Sequence, residues 1–365
     1  MVRYEYAHTG YDINEEGGED VLTKMNLEET LEIMRLQQDA PGVVEKRQTK
    51  REQQDIIGQA KFWKTFPDER AAIAFAEKMI WGDTPWCGRC GGDNVYRVKS
   101  GKPMSHRCRD CKKYCSVRTG TVMAETNLPV QTWLFAIYLM LTSRTGVSAN
   151  QLQKELDIYY EAAWFLCHRI REAMEDRTPF HETTVEIDEA YLGSKKRWMH
   201  SNKKKTINNW REIKAVVFGI KDRETGRVMA YPVAYGHDGD ADTLLEEVLT
   251  RVRPWGEGTT VYTDGHPAYR ELNNYGYDHD WVDHGIGEYV DGDVTTNGIE
   301  SFWTSVKRGH HGTYYFISWK HLHRYINEMA YRQSAGPGNG LETIGGVLKN
   351  MRGKRLTYKK LTKGR

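Results

Sequence analysis

The chain has no run approaching the roughly 18 consecutive apolar residues that a membrane-spanning helix needs, which sets aside an integral membrane protein. A secretory leader is missing too: the opening stretch, MVRYEYAHTGYDINEEGGED, is acidic and polar. An intracellular protein is expected. Net charge is nearly absent, +2 at pH 7, so the overall balance does not announce a nucleic-acid binder. No internal repeat is visible, which sets aside repeat architectures. Cysteine is scarce, six residues, and four of them fall in two CxxC pairs that a reducing compartment leaves free for metal.

What is present is ordinary in bulk and uneven in detail. Hydrophobic residues make up 39% and charged ones 28% of 365 residues, enough for two or three domains. Positive charge is concentrated in two runs. One spans Lys195 to Lys205; the other, Lys349 to Arg365, holds eight basic residues and no acidic one. Each run fits phosphate contact or a solvated face equally well.

Residues 1–65 read as a weakly ordered extension, with a short helix at Leu27 to Leu36 and few apolar anchors. Structure is expected from Phe66, where Pro67-Asp68-Glu69 opens a helix with Ala72, Ile73, Phe75, Ala76, Met79 and Ile80 on one face. Residues 66–125 join that helix to a Cys-, Gly- and Lys-rich module too short to build a core without a staple. Residues 126–178 hold an apolar helix (Val130 to Leu141), then a short helix, a turn at Asp157-Ile158 and a longer helix from Tyr160 to Met174. That is helix-turn-helix spacing. From 179 to 335 the period changes to three strands, a helix, a strand and further helices, a mixed α/β sheet domain. Residues 336–365 are expected to be a basic tail.

Cys87-x-x-Cys90 and Cys108-x-x-Cys111 stand 17 residues apart, within the spacing of a four-cysteine zinc site. With all four positions filled by protein, one Zn²⁺ there is structural rather than catalytic. Gly88, Gly91 and Gly92 are expected to supply positive φ at the first knuckle. Cys115 and Cys167 read as plain buried cysteines.

Three acids carry the chemistry. Asp188 ends a strand in VEIDEAYLG, Asp264 ends another in VYTDGHPAY, and Glu300 lies on a helix in TTNGIESFWTSVKRG. Two strand-end aspartates and a helical glutamate suit a pair of Mg²⁺ or Mn²⁺ ions that drive phosphodiester chemistry. Lys307 follows Glu300 by about two helical turns and shares its face. Taken singly, each acid reads more readily as a turn-former, a cap or a solvated side chain; their joint placement behind a zinc module and a helix-turn-helix favours catalysis.

At these residues the sequence resembles bacterial insertion-sequence transposases of the Merlin superfamily, the group with an N-terminal zinc ribbon and a DDE integrase domain. The resemblance runs from Phe66 to Arg332, through FPDERAAIAFAEKMIWG, CRDCKKYCSVRTGTVM, GVSANQLQKELDIYYEAAWFLCHRIREAM and the IDEAYLG, TDGHPAY and NGIESFWTSVKRGHHGTYYFISWKHLHRYINEMAYR segments. It implies a ribonuclease-H-like catalytic fold, cleavage of DNA ends to free a 3′-hydroxyl, and attack of that hydroxyl on target DNA. It places metal-binding acids at Asp188, Asp264 and Glu300, with Lys307 as basic companion and Asn297 orienting a ligand or water. The sequence departs from the family at Thr295, where histidine is frequent, and at Cys115, where an aromatic residue is usual.

Lys307 and Arg308 are expected to hold a phosphate. Tyr159, Tyr160, His168, Arg169 and Arg171 are expected to meet the major groove of double-stranded DNA. Two synchronous transposon ends imply a homodimer or larger assembly, on the bacterial nucleoid or in the nucleus of a eukaryotic host. A nuclease that cuts without joining, and a DNA-binding regulator with a dead catalytic domain, stay open as rival readings.

Overall fold

A computed structural model describes residues 57–193, 214–235, 241–253, 259–283, 290–336 and 340–363. The basic run Lys195 to Lys205 and the expected helix at Leu27 to Leu36 lie outside them. Ahead of Phe66 stands a short helix, α1 (Gln59–Thr65), whose Phe62 is fully buried against Phe66, Phe135 and Tyr138. Asp68 then opens α2 (Glu69–Trp81), its carboxylate accepting the Ala71 amide at 2.8 Å. Ala72, Phe75, Ala76 and Ile80 form the buried stripe, flanked by partly buried Ile73 and Met79.

The cysteine module folds as a small antiparallel sheet of β1 (Val95–Arg97), β2 (His106–Cys108) and β3 (Tyr114–Cys115). Helix α3 (Val130–Thr142) follows, apolar on nearly every side and buried accordingly. Ser148 caps α4 (Ala149–Leu156), and α5 (Tyr160–Ala173) begins after Asp157, which ends α4 in the left-handed conformation at φ 49°. Aspartate tolerates that region better than most residues.

A five-stranded mixed sheet forms the second half. β4 (Thr184–Gly193), β5 (Lys214–Asp222) and β6 (Val228–Tyr235) are antiparallel neighbours. The β5–β6 turn is fixed by Asp222, whose Oδ1 accepts the amides of Glu224 and Thr225, and by Gly226 at φ 72°. Helix α6 (Ala241–Arg251) crosses to β7 (Thr260–Asp264), and β8 (Asp278–Val282) lies outermost; both run parallel to β4. The order is β6-β5-β4-β7-β8. Strand β5 is buried on both faces, which explains its unbroken apolar run. One face packs on α6, Tyr269 and Leu272; the other packs on α7 (Asn297–Gly309) and α8 (Trp319–Ala335).

Residues 336–365 are expected from sequence to be a basic tail, but the described stretch 340–363 is not a free one. Helix α9 (Gly340–Lys349) inserts Ile344, Val347 and Leu348, with Met351 after it, into the core of α2, α3 and α5. The cause is an amphipathic stripe at helical spacing that the surrounding lysines and arginines mask in a composition count. Several of those cations face protein: Arg352 lies 4.3 Å from the Trp86 ring centroid, Lys354 donates to the carbonyls of Glu172 and Glu175, and Arg355 pairs with Glu125 at 2.8 Å. A last short helix, α10 (Tyr358–Thr362), buries Leu361. Among the described residues no helix is long and apolar enough to cross a membrane.

Candidate functional site

Strand pairing brings two of the three acids together. β4 runs on to Gly193, so Asp188 is not at its end, contrary to the expectation from sequence. β7, however, pairs with β4 only as far as Ile187 and Thr263. Asp188 and Asp264 are the next residue on each strand, at the fork where the two part. Parallel partners project to the same face, and here it is the face covered by α7. Gly219, opposite Asp188 on β5, faces the same helix: a Cβ there would meet the Trp303 ring at 2.5 Å and Ile299 at 3.2 Å.

Glu300 reaches this face from the first turn of α7. That turn is gripped from the sheet. Glu186, two residues before Asp188 and 3% exposed, accepts the Ile299 amide at 2.8 Å and pairs with Arg223 at 3.3 Å. Lys221 donates to the Gly298 carbonyl at 3.1 Å. Gly298 is required by this approach, because a Cβ would stand 2.5 Å from Glu186 Oε2. The Thr296 hydroxyl at the N-cap donates to Glu300 Oε1 at 3.4 Å instead of capping a backbone N–H, and Glu186 satisfies one of the helix's orphan donors. Sequence reasoning missed Glu186; its signal was an acid alternating with Asp188 on an otherwise apolar strand.

The Asp188 carboxyl accepts the Glu189 amide at 2.8 Å and is pushed up to about 7 by burial, then by the charges of Asp264 and Glu300. No basic side chain pairs with it among the described residues. The three carboxylates do not gather their oxygens within 4.8 Å of one another, as the four cysteine sulfurs do. An open set of carboxylates, with Asp188 lacking a basic partner among the described residues, fits hard divalent cations that keep several waters. Glu189 projects to the opposite face, where Tyr269 donates to it at 2.9 Å and His266 stands 3.9 Å away. Burial, followed by the charges of Asp264 and Asp188, pushes it up to about 8. It was also missed. Asn297 is exposed at the start of α7; Lys307 and Arg308 are exposed in its last turn and make no ion pair among the described residues.

Cys87, Cys90, Cys108 and Cys111 place their sulfurs within 4.8 Å of one another. The Cys87–Cys111 and Cys90–Cys108 separations are both 3.7 Å, against about 3.8 Å for the edge of a tetrahedron with Zn–S bonds near 2.3 Å. The first knuckle closes through Gly91 at φ 80°; Gly88 and Gly92 keep ordinary φ and serve close approach instead, to the Thr119 carbonyl and the Asp110 carboxylate. Lys112, at φ 60°, plays the part of Gly91 in the second knuckle. Cys115 packs beside the cluster without joining the ligand set, and Cys167 is fully buried in α5.

Residues 181–334 match the ISXO2-like transposase domain, and residues 67–114 match the transposase zinc-ribbon domain. The first match spans β4 to α8; the second spans α2 and the cysteine module. The chain is also 29% identical over 301 residues, 78% of its length and 97% of the relative's, to an uncharacterized protein in transposable element ISH50 of Halobacterium salinarum. The chain belongs to the ISXO2-like transposases with an N-terminal zinc ribbon.

In this transposase α5 does not present the surface expected of it. Tyr159 and Tyr160 are exposed at its start. His168, Arg169 and Arg171 are buried. His168 is ringed by Trp164, His321 and Tyr325, and burial, with Arg171 next in effect, drives its imidazole far below its usual range. Arg169 lies about 5 Å from the Trp133 and Phe165 ring centroids and donates to the Ala124 carbonyl. Arg171 donates to Glu328 on α8 at 2.6 Å, with both side chains all but sealed from solvent. The reason is coverage on two sides: Leu166, Cys167 and Ile170 face the helical core while Arg171 and His168 face α8. Among the described residues, the exposed side chains of α5 lie in its first turn.

Proposed function

We propose that the chain binds the terminal inverted repeats of its mobile element and performs divalent-metal-dependent DNA cleavage and strand transfer. The observation that carries this reading is the meeting of Asp188 and Asp264 at the β4–β7 fork beneath the helix of Glu300. The order β6-β5-β4-β7-β8, three antiparallel strands followed by two parallel ones, supports a ribonuclease-H-like catalytic domain. Two Mg²⁺ or Mn²⁺ ions held by Asp188, Asp264 and Glu300 would activate the attacking oxygen and stabilise the leaving one.

The protein's own contribution is position and charge. Glu186 and Lys221 fix the turn that carries Glu300. Lys307 and Arg308, exposed on the last turn of α7, hold a backbone phosphate, and Asn297 orients a ligand at the helix start. Tyr159 and Tyr160 contact DNA from the helix-turn-helix pair α4–α5. One Zn²⁺ on the four cysteines staples the ribbon. Two copies or more act together on paired ends.

The test is joining of a duplex carrying the element's terminal repeat to a supercoiled plasmid with Mg²⁺ or Mn²⁺, comparing the wild type with Asp264→Ala. Joined product from the wild type alone upholds the reading. Cleavage without joining turns it into a nuclease, and binding with neither activity into a regulator.

A further inference from the structure

Helix α7 ends in an unusual way. It passes into a π-type turn, His310–Tyr314, after which Tyr315 adopts φ 56° and ψ −45°. The Phe316 amide closes back on the Tyr314 carbonyl, making a γ-turn of the rare, strained hand. Such strain persists only where the surroundings enforce it. Here they do. Tyr314 donates to Glu328 at 2.8 Å, and Thr313 donates to Thr145 at 2.8 Å. Gly146 admits the Tyr314 hydroxyl, which stands 1.9 Å from where a Cβ would lie. This braced turn presents two adjacent aromatic rings to solvent, Tyr315 at 77% and Phe316 at 71% exposure. Single exposed apolar residues are common; a strained, anchored pair is not accounted for by packing.

We infer that Tyr315 and Phe316 form a wedge that stacks on unpaired or unstacked bases of DNA lying along α7. The inference rests on the DNA-cutting reading above and adds a second contact to it. Charge selects the occupant: Lys307 and Arg308 precede the tip on α7, and His311 is exposed beside it. From Glu300 to Tyr315 the helix and its π-type turn span roughly 20 Å at up to 1.5 Å per residue, about six nucleotides at 3.4 Å each. A strand whose reacting phosphate sits at the acids therefore brings about its sixth nucleotide near the tip. Aromatic stacking there accepts any base, since every base has a π face. Inserted side chains kink a duplex most readily where its pairing is already weak. A second copy of the chain is the competing occupant, but a two-fold contact at this tip would bring like cations together.

The test compares a short labelled duplex with the same duplex carrying a small central mismatch bubble. Wild type binds the bubbled duplex about tenfold more tightly. Tyr315→Ala/Phe316→Ala binds both alike, at the affinity that wild type has for the perfect duplex. Tyr315→Gly melts no lower than wild type, because glycine takes φ 56° without penalty, yet loses part of the preference. Equal wild-type affinity for the two duplexes overturns the wedge while leaving the DNA reading intact. A preference retained in the double variant does the same. Wild type that binds neither duplex removes the DNA reading and the wedge together. Loss of self-association in the double variant, with its DNA preference unchanged, assigns the tip to a second copy and also overturns the wedge.

Discussion

Glu186 accepts the Ile299 amide at 2.8 Å, so the strand that carries Asp188 also fastens the turn that carries Glu300. Two acids from different elements thereby share one rigid support. Glu186→Ala leaves a buried N–H and the Arg223 guanidinium without their partner, a loss of about 2–4 kcal/mol. Glu186→Gln keeps an acceptor for Ile299 and costs less. Gly298→Ala drives a Cβ to 2.5 Å from Glu186 Oε2 and displaces the same turn. Thermal melting and Mn²⁺ titration calorimetry check this together: the alanine variants lose Mn²⁺ affinity while Glu186→Gln largely keeps it. Unchanged Mn²⁺ affinity in folded Glu186→Ala would show that Glu300 is held by other means.

Asp188 makes the metal-free protein sensitive to pH. Its carboxyl stands at about 7 in the fold, against roughly 3.9 in an unfolded chain. The folded state therefore binds the proton more tightly, and ionisation costs stability. That cost is absent below about pH 4 and fully present above about pH 7, on the order of 2 kcal/mol after allowance for partial solvation. The melting temperature of metal-free wild type falls as pH rises from 5 to 8. Asp188→Asn flattens the slope and melts higher at pH 8, with Glu189, at about 8, leaving a residual fall. Mn²⁺ raises the melting temperature of wild type but not of Asp188→Asn. A variant with the same pH slope as wild type would mean that the Asp188 charge is already neutralised in the fold.

The strands that carry the aspartates were legible because local alternation and burial agree: Val185, Ile187, Val261 and Thr263 are buried on one side while Asp188 and Asp264 fall on the other. The cysteine spacing was legible because a tetrahedral site leaves little freedom in knuckle length. What could not be read were features set by distant partners. β8 carries too few apolar residues to announce itself, with only His279 and Val282 buried, and joins the sheet by edge pairing with β7. The burial of Arg171 depends on Glu328, 157 residues away, and no local pattern separates such an arginine from one facing DNA. Helix α9 returns to the N-terminal core through the same kind of distant contact.

Removal of the metal from the cysteine cluster is expected to unfold the module locally. The segment from Cys87 to Cys115 offers a buried core of little more than its own cysteines, while structural zinc supplies apparent binding energy of about 10–16 kcal/mol in small modules. Purified protein should hold one Zn²⁺ per chain by elemental analysis. Chelation, or Cys108→Ser, should open this segment to protease while α3 and α5 stay protected. Equal protease resistance with and without chelator would remove the structural role of the metal.

Arg171 and Tyr159 should part company under substitution, although both were expected to touch DNA. Arg171→Ala leaves Glu328 charged and enclosed beside Tyr314, with Arg332 at 3.7 Å as its remaining cation. Breaking a buried pair in this way costs about 3–5 kcal/mol, so the variant melts well below wild type. A variant that folds keeps the wild-type salt dependence of DNA binding, because no phosphate contact has been removed. Tyr159→Ala and Tyr160→Ala remove exposed rings, leave the melting temperature within about 0.5 kcal/mol equivalent of wild type, and weaken DNA binding. The contrast is read from melting curves and from DNA affinity over a range of salt. A folded Arg171→Ala protein whose salt slope falls by about one would return that arginine to the DNA interface.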